Sequence, residues 1–217
     1  MENLQSDHLD TQNLYRDMQK RTGGEIYIGV VGPVRTGKST FIKRFMDVAV
    51  LPYMEDAAQK TRAQDELPQS AGGRTITTTE PKFIPQEAVE VTIRVRLVDC
   101  VGFMVEGAAG HLEDGAERLV KTPWYDHEIP FTQAAELGTR KVITDHSTIG
   151  VVVTTDGSFS DLPQETYLDA ENQAISELKK LHKPFLVLVN SSHPSSRTAR
   201  EAAERIEKQH SVAAMPV

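Results

Sequence analysis

The chain has 217 residues, 39% of them hydrophobic and 25% charged, a balance that suits one ordinary globular domain with a sizeable core. A net charge of -7 and a single cysteine, Cys100, argue against broad attraction to nucleic acid or anionic lipid and against an internal disulfide. The opening "MENLQSDHLDTQNLYRDMQK" has no apolar stretch like a signal peptide, and no apolar run reaches membrane-spanning length, so a cytoplasmic protein with no nucleic-acid partner and no transmembrane segment is expected.

Residues 1–21 are polar, with a weak helical pattern through Leu4, Leu14 and Met18 that the glycines of "TGG" stop. They are expected to form a helical or frayed lead-in to a domain spanning 22–217. From residue 25 short β-rich apolar runs alternate with helical segments. "EIYIGVVG" reads as a strand, 38–49 as a helix, "VEVTIRVRLVDC" as a strand, and a helix falls within 131–145. The buried strands "STIGVVVTTD" and "KPFLVLVN" follow, with helical patterns over 164–182 and 196–209, and "SVAAMPV" closes the chain. Such alternation predicts an α/β domain, a mostly parallel sheet covered by helices on both faces. Two connections, 52–80 and 102–130, read as irregular; segments of that length in a compact domain are usually functional or disordered.

The chemistry concentrates after the first strand, in "GVVGPVRTGKSTFIKRF". Gly32 and Gly37 bracket Pro33, Val34, Arg35 and Thr36 in a loop able to curl its N–H groups around phosphate oxygens, and the helix that follows through Lys38, Ser39 and Thr40 adds its positive N-terminal end. Lys38 suits the β- and γ-phosphates as a point charge, and the Ser39 hydroxyl suits the shell of a Mg²⁺ ion. The strand "RVRLVDCVG" ends in Asp99, placed to hold a Mg²⁺-bound water, and the N–H of Gly102 fits the γ-phosphate. Between the two lies "GGRTITTTEP", where Thr78 or Thr79 fits a residue that senses the γ-phosphate, unless the threonines only serve a β-edge.

Guanine is commonly read by N-K-x-D at the end of a late strand, but here "PFLVLVN" runs into Asn190, Ser191, Ser192 and His193. The asparagine remains; the lysine and the base-reading aspartate do not. Loss of that acceptor removes the main reason to prefer guanine, which favours ATP over GTP, with a regulatory GTPase of the same fold as the alternative. Phe103 stands where a water-orienting glutamine is often found. Arg35 either supplies charge near the leaving group, as an internal arginine finger would, or is solvated or paired with an acid. Cys100 alternates to the side of its strand opposite Asp99 and suits the core. His111, His127, His146 and His182 have no metal-ligand spacing.

The segments "GGEIYIGVVGPVRTGKSTFIKRFM", "RAQDELPQSAGGRTITTTEPKF", "RLVDCVGF", "TPWY", "AAELGTRKVI" and "HSTIGVVVTTDGS" resemble the nucleotide-binding region of the stage IV sporulation protein A family, over roughly residues 18–193. These are ATPases that build the basement layer of the spore coat, related to the translation-factor class of P-loop GTPases. The resemblance implies a three-layer P-loop fold and ATP hydrolysis with Mg²⁺ held near Ser39, Thr79 and Asp99. It matches Lys38 and Ser39 to the phosphate-loop residues, Asp99 to the Mg²⁺-associated acid, and Thr78 and Thr79 to paired threonines needed for hydrolysis. It also implies self-association of the longer protein into a polymer, recruitment by a small amphipathic membrane peptide, contact with other coat proteins, and a place in the mother cell at the forespore surface.

Overall fold

The computed structural model of the chain describes residues 25–68, 81–90 (backbone alone over 86–90), 94–108, 110–113 and 115–217. The expected lead-in over 1–21 and the threonines Thr78 and Thr79 lie outside the described residues.

The chain folds as an α/β domain on a six-stranded sheet. In chain order its elements are β1 (Glu25–Val31), α1 (Lys38–Phe45), α2 (Ala57–Asp65), β2 (Lys82–Glu90) and β3 (Arg94–Asp99). Next come the short strands β4 (Leu112–Glu113), β5 (Ala116–Glu117), β6 (Leu119–Thr122) and β7 (Tyr125–Pro130), and then α3 (Phe131–Lys141). The last are β8 (Ile149–Thr155), α4 (Leu168–Lys180), β9 (Phe185–Asn190), α5 (Arg197–His210) and β10 (Ala214–Pro216). The sheet order is β10-β9-β8-β1-β3-β2. All neighbours run parallel except β2, which pairs antiparallel with β3 at the edge.

Alternation along the strands builds two cores, because successive side chains leave opposite faces of a strand. Val31, Val98, Val152, Val187 and Val189 point to one face, where Ile143, Ile175, Leu178 and Ile206 of the α3, α4 and α5 side cover them. Val30, Leu97, Val151, Val153 and Leu188 point to the other, against Ile42 and Met46 of the α1 side. Both faces being buried explains why these strands read as unbroken apolar runs.

The structure departs from the sequence reading in three places. "VEVTIRVRLVDC" is not one strand: Glu90 pairs with Arg94 and Val89 with Val95, so the chain reverses between β2 and β3. The segment 52–80 contains α2, started by Asp56, whose carboxylate accepts from the N–H groups of Ala58 (2.8 Å) and Gln59 (3.0 Å). Only Ala63 of that helix is buried, so no apolar stripe announces it. The segment 102–130 carries two small antiparallel hairpins, β4–β5 and β6–β7. The predicted helix over 38–49 holds as α1 and continues as a π-helical turn over Met46–Val50.

Candidate functional site

The residues singled out around the phosphate loop meet at the carboxyl ends of β1, β3, β8 and β9, the edge at which open parallel sheets place ligands. β1 delivers the chain into the loop of residues 32–37, and α1 begins at Lys38. Gly32 has φ of 127° and lies so close to β8 that a Cβ would run into the Val153 carbonyl oxygen. Thr36, fully buried, donates its hydroxyl to that same carbonyl at 2.6 Å. Asn190 Nδ2, from the end of β9, donates to the Thr36 carbonyl at 3.0 Å. The asparagine that survives from the base-reading pattern therefore fixes the back of the loop.

A second tie comes from the segment after β3. Phe103 N–H donates to the Gly32 carbonyl at 3.0 Å, and Val34 N–H donates to the Phe103 carbonyl at 2.8 Å. The Phe103 side chain is buried in the core with Val34 and Val105, so it anchors this clasp and leaves water positioning to other groups. Pro33 and Val34 are buried beneath the loop, while Arg35, at φ of 63°, and Thr40 are exposed.

Lys38 is only 4% exposed, and its Nζ donates to the Pro33 carbonyl at 2.6 Å. Burial holds its pKa below the ordinary lysine value, partly countered by Cys100 and Asp99. Ser39 Oγ donates to Asp99 Oδ2 at 2.7 Å. Burial pushes the Asp99 carboxyl upward, against the Ser39 hydrogen bond and the Lys38 charge. A hydroxyl and a carboxylate side by side are hard oxygen donors of the kind that would hold Mg²⁺. Gly102, at φ of 106°, packs against the Gly32 carbonyl and Lys38 Nζ so closely that any side chain would displace them. Its N–H donates to Thr139 Oγ1 of α3 at 3.1 Å.

Where the base-reading lysine and aspartate are missing, a different network stands. Ser191 Oγ donates to Asp156 Oδ2 at 2.6 Å, Ser158 N–H donates to Asp156 Oδ1 at 3.0 Å, and His193 N–H donates to Ser191 Oγ at 3.0 Å. Burial raises the Asp156 pKa, but the hydrogen bonds from Ser158 and Ser191 outweigh it and the net shift is downward. The carboxylate is thus spent on bracing the two loops rather than on a ligand.

Thr139, the Phe103 clasp, the Val153 carbonyl and Asp156 escape the sequence reading. Nothing local distinguishes Thr139 in "AAELGTRK" from any other helical threonine. Cys100 behaves as expected: its thiol is buried, lies 3.4 Å from the Val30 carbonyl, and is pushed up to about 11 by that burial. A thiol-specific colorimetric reagent at neutral pH is expected to leave the native chain unlabelled and to titrate one thiol after denaturation. Rapid labelling of the folded chain would contradict the packing around β3. Among the described residues no three His, Cys, Asp or Glu side chains cluster to hold a metal ion.

A parallel sheet whose first strand hands the chain to such a loop, with an acid from the neighbouring strand meeting the first helical hydroxyl, belongs to the P-loop NTPases. The antiparallel edge strand β2 agrees with their translation-factor-related branch. The profile of the family described as stage IV sporulation protein A, ATPase domain, matches residues 9–217, and the chain belongs to that family. It is 52% identical to stage IV sporulation protein A of Bacillus subtilis (strain 168), over 89% of this chain and 41% of that protein. It is 48% identical to the Bacillus anthracis protein of the same name and 50% identical to that of Clostridioides difficile (strain 630), in each case over 94% of this chain and 43% of the relative. The chain thus spans less than half the length of the curated relatives it matches.

Proposed function

We propose that this chain binds ATP with Mg²⁺ and hydrolyses it, and that hydrolysis changes conformation to drive self-assembly of the longer protein into the basement layer of the spore coat. The observation that carries the catalytic reading is the convergence of Lys38 Nζ, the Ser39–Asp99 pair and Gly102 at one end of the sheet. Residues 32–40 cradle the phosphates, Lys38 meets the β- and γ-phosphates, Asn190 holds the loop from behind, and Ser39, Asp99 and Thr79 hold Mg²⁺. The bound ion would neutralise charge developing on the β–γ bridge and γ-phosphoryl oxygens. Thr78 and Thr79 take the task of orienting the attacking water, since the Phe103 side chain is committed to the core. Arg35 offers charge to the leaving group, a role that its exposure on the loop leaves open to it. Preference for ATP is supported by the sequence of residues 190–193, which has no carboxylate, and by the commitment of Asp156 to Ser158 and Ser191.

The wider setting rests on the family resemblance: polymer formation, a small amphipathic membrane peptide as recruiter, other coat proteins as partners, and a location in the mother cell against the forespore. Among the described residues no helix is long and apolar enough to cross a membrane, so attachment there is assigned to a partner.

Steady-state phosphate release from ATP and from GTP with Mg²⁺ tests the reading. The chain is expected to cleave ATP and leave GTP largely intact, and Thr78→Ala and Thr79→Ala are expected to bind ATP while releasing phosphate on the order of 10²-fold more slowly. Equal cleavage of both nucleotides would overturn the base assignment, and cleavage of neither would overturn the activity.

A further inference from the structure

The Gly102 N–H, which also lies beside the Cys100 thiol, is a single donor on which two oxygen acceptors have a claim. In the structure it is given to Thr139 Oγ1 at 3.1 Å. The sequence reading fits it to the γ-phosphate, and Gly102 lies against Lys38 Nζ, the cation assigned to that phosphate, and the Gly32 carbonyl. Thr139 is fully buried, and its own hydroxyl proton goes to the Ala135 carbonyl one turn earlier, at 2.8 Å. That bond turns an oxygen lone pair toward Gly102, with the Cys100 thiol as the hydroxyl's other neighbour. A buried amide without an acceptor is costly, so the N–H passes from one acceptor to the other rather than standing free.

The helix that carries Thr139 is tied onward. Arg140 Nη1 donates to Glu177 Oε1 at 3.0 Å, and Gln173 Nε2 donates to Glu136 Oε1 at 3.1 Å, joining α3 to α4. Loosening the Gly102–Thr139 bond therefore removes one hydrogen bond between the loop after β3 and this pair of linked helices, while Phe103 and Val105 stay packed in the core beside them.

We propose that Thr139 is a positioning residue that competes with the γ-phosphate for the Gly102 amide, and so sets how strongly the chain distinguishes ATP from ADP. The inference rests on the assignment of a γ-phosphate site at Gly102. A nucleotide with a third phosphate takes the amide and breaks the bond to α3; one without it leaves the bond intact. Thr139 touches neither phosphate nor metal; it acts through the amide it holds.

The test compares Thr139→Val, which keeps the shape and removes the acceptor, with Thr139→Ser, which keeps the hydroxyl. Binding of a non-hydrolysable MgATP analogue and of MgADP is measured for each by calorimetry. In the valine variant the preference for the triphosphate is expected to rise about three- to tenfold, the equivalent of one neutral hydrogen bond no longer in competition. The serine variant is expected to keep the parental ratio. A purely structural role for Thr139 would change both affinities together and leave the ratio fixed, and that result overturns the proposal, as does a serine variant that behaves like valine. A measurement on the unaltered chain guards against misfolding of a variant. With ¹⁵N-glycine labelling, the Gly102 amide resonance is expected to move with the MgATP analogue and not with MgADP; a resonance indifferent to both also overturns the proposal. If the unaltered chain binds neither nucleotide, the functional reading falls and takes this inference with it. If it binds both and only the ratio fails to respond, Thr139 alone is misassigned.

Discussion

Lys38→Ala is expected to weaken MgATP binding by on the order of 10²–10³-fold and to reduce phosphate release to background. The ammonium is a cation fixed at the loop by a 2.6 Å bond to the Pro33 carbonyl, and truncating one partner of a buried charge contact costs about 2–5 kcal/mol. Its effect on the fold has the opposite sense. Burial lowers the Lys38 pKa, so the folded chain binds that proton less tightly than the unfolded chain. At neutral pH the charge therefore opposes folding, and the penalty fades as pH rises through the lowered value toward the ordinary lysine range. Thermal unfolding without nucleotide is expected to show the alanine variant no less stable than the parent, and adding MgATP should raise the melting temperature of the parent only. A variant that is stabilised by MgATP as well as the parent would remove Lys38 from the phosphate site. Loss of stability before nucleotide is added would mean that the side chain supports the loop rather than the ligand.

The largest effect on stability is expected on the α4–α5 side, far from the phosphates in sequence. Glu171 is 1% exposed; its carboxylate accepts from Arg205 Nη2 at 2.8 Å and from Thr154 Oγ1 at 2.7 Å. These bonds tie α4, α5 and β8 together, next to the Val153 carbonyl that receives the Thr36 hydroxyl. Arg205→Met strands a buried carboxylate with a single neutral partner. Removal of one member of such a pair costs about 3–5 kcal/mol. For a chain of this size that is roughly 6–20 °C in melting temperature. The double replacement Glu171→Met with Arg205→Met is expected to lose less than Arg205→Met alone, because the stranded charge leaves with its partner. Calorimetric melting of the variants decides the matter. A double variant that melts no higher than Arg205→Met would show that packing of the arginine stem, and not the buried carboxylate, carries the cost.

Much of the nucleotide site is written in short stretches of sequence because its geometry is local. A strand, a glycine-bracketed turn and a helix opening on Lys38 require only the backbone freedom of Gly32 and Gly37 and the apolar run before them. The alternation of Val30 with Val31, Leu97 with Val98 and Val151 with Val152 specifies a sheet buried on both faces, since a period of two distributes those side chains between two cores. Asp99 is legible as the polar end of such a strand. The resemblance of the family segments adds an expectation that spacing alone does not carry, a place in the spore coat, whereas the expectation of ATP already follows from the lysine and aspartate missing after Asn190.

Tertiary structure decides the rest, wherever a residue's role depends on a partner distant in the chain. "VEVTIRVRLVDC" alternates from Val89 to Leu97 without glycine or proline, so the reversal between Glu90 and Arg94 follows from pairing along the edge of β3 and not from a turn signal. The helix α2 depends on the Asp56 cap and one buried alanine, too little for periodicity to register. Phe103 reads as a missing glutamine until its backbone is seen to clasp Gly32 and Val34. Asn190 reads as a remnant of base recognition until it is seen to hold Thr36, 154 residues away. Thr139, Asp156 and Glu171 carry no sequence signature because hydrogen-bonding side chains acquire their function from the acceptor or donor that folding sets beside them. Local backbone preference and hydrophobic period are properties of the chain itself; the partner of a buried polar group is a property of the packed sheet and helices.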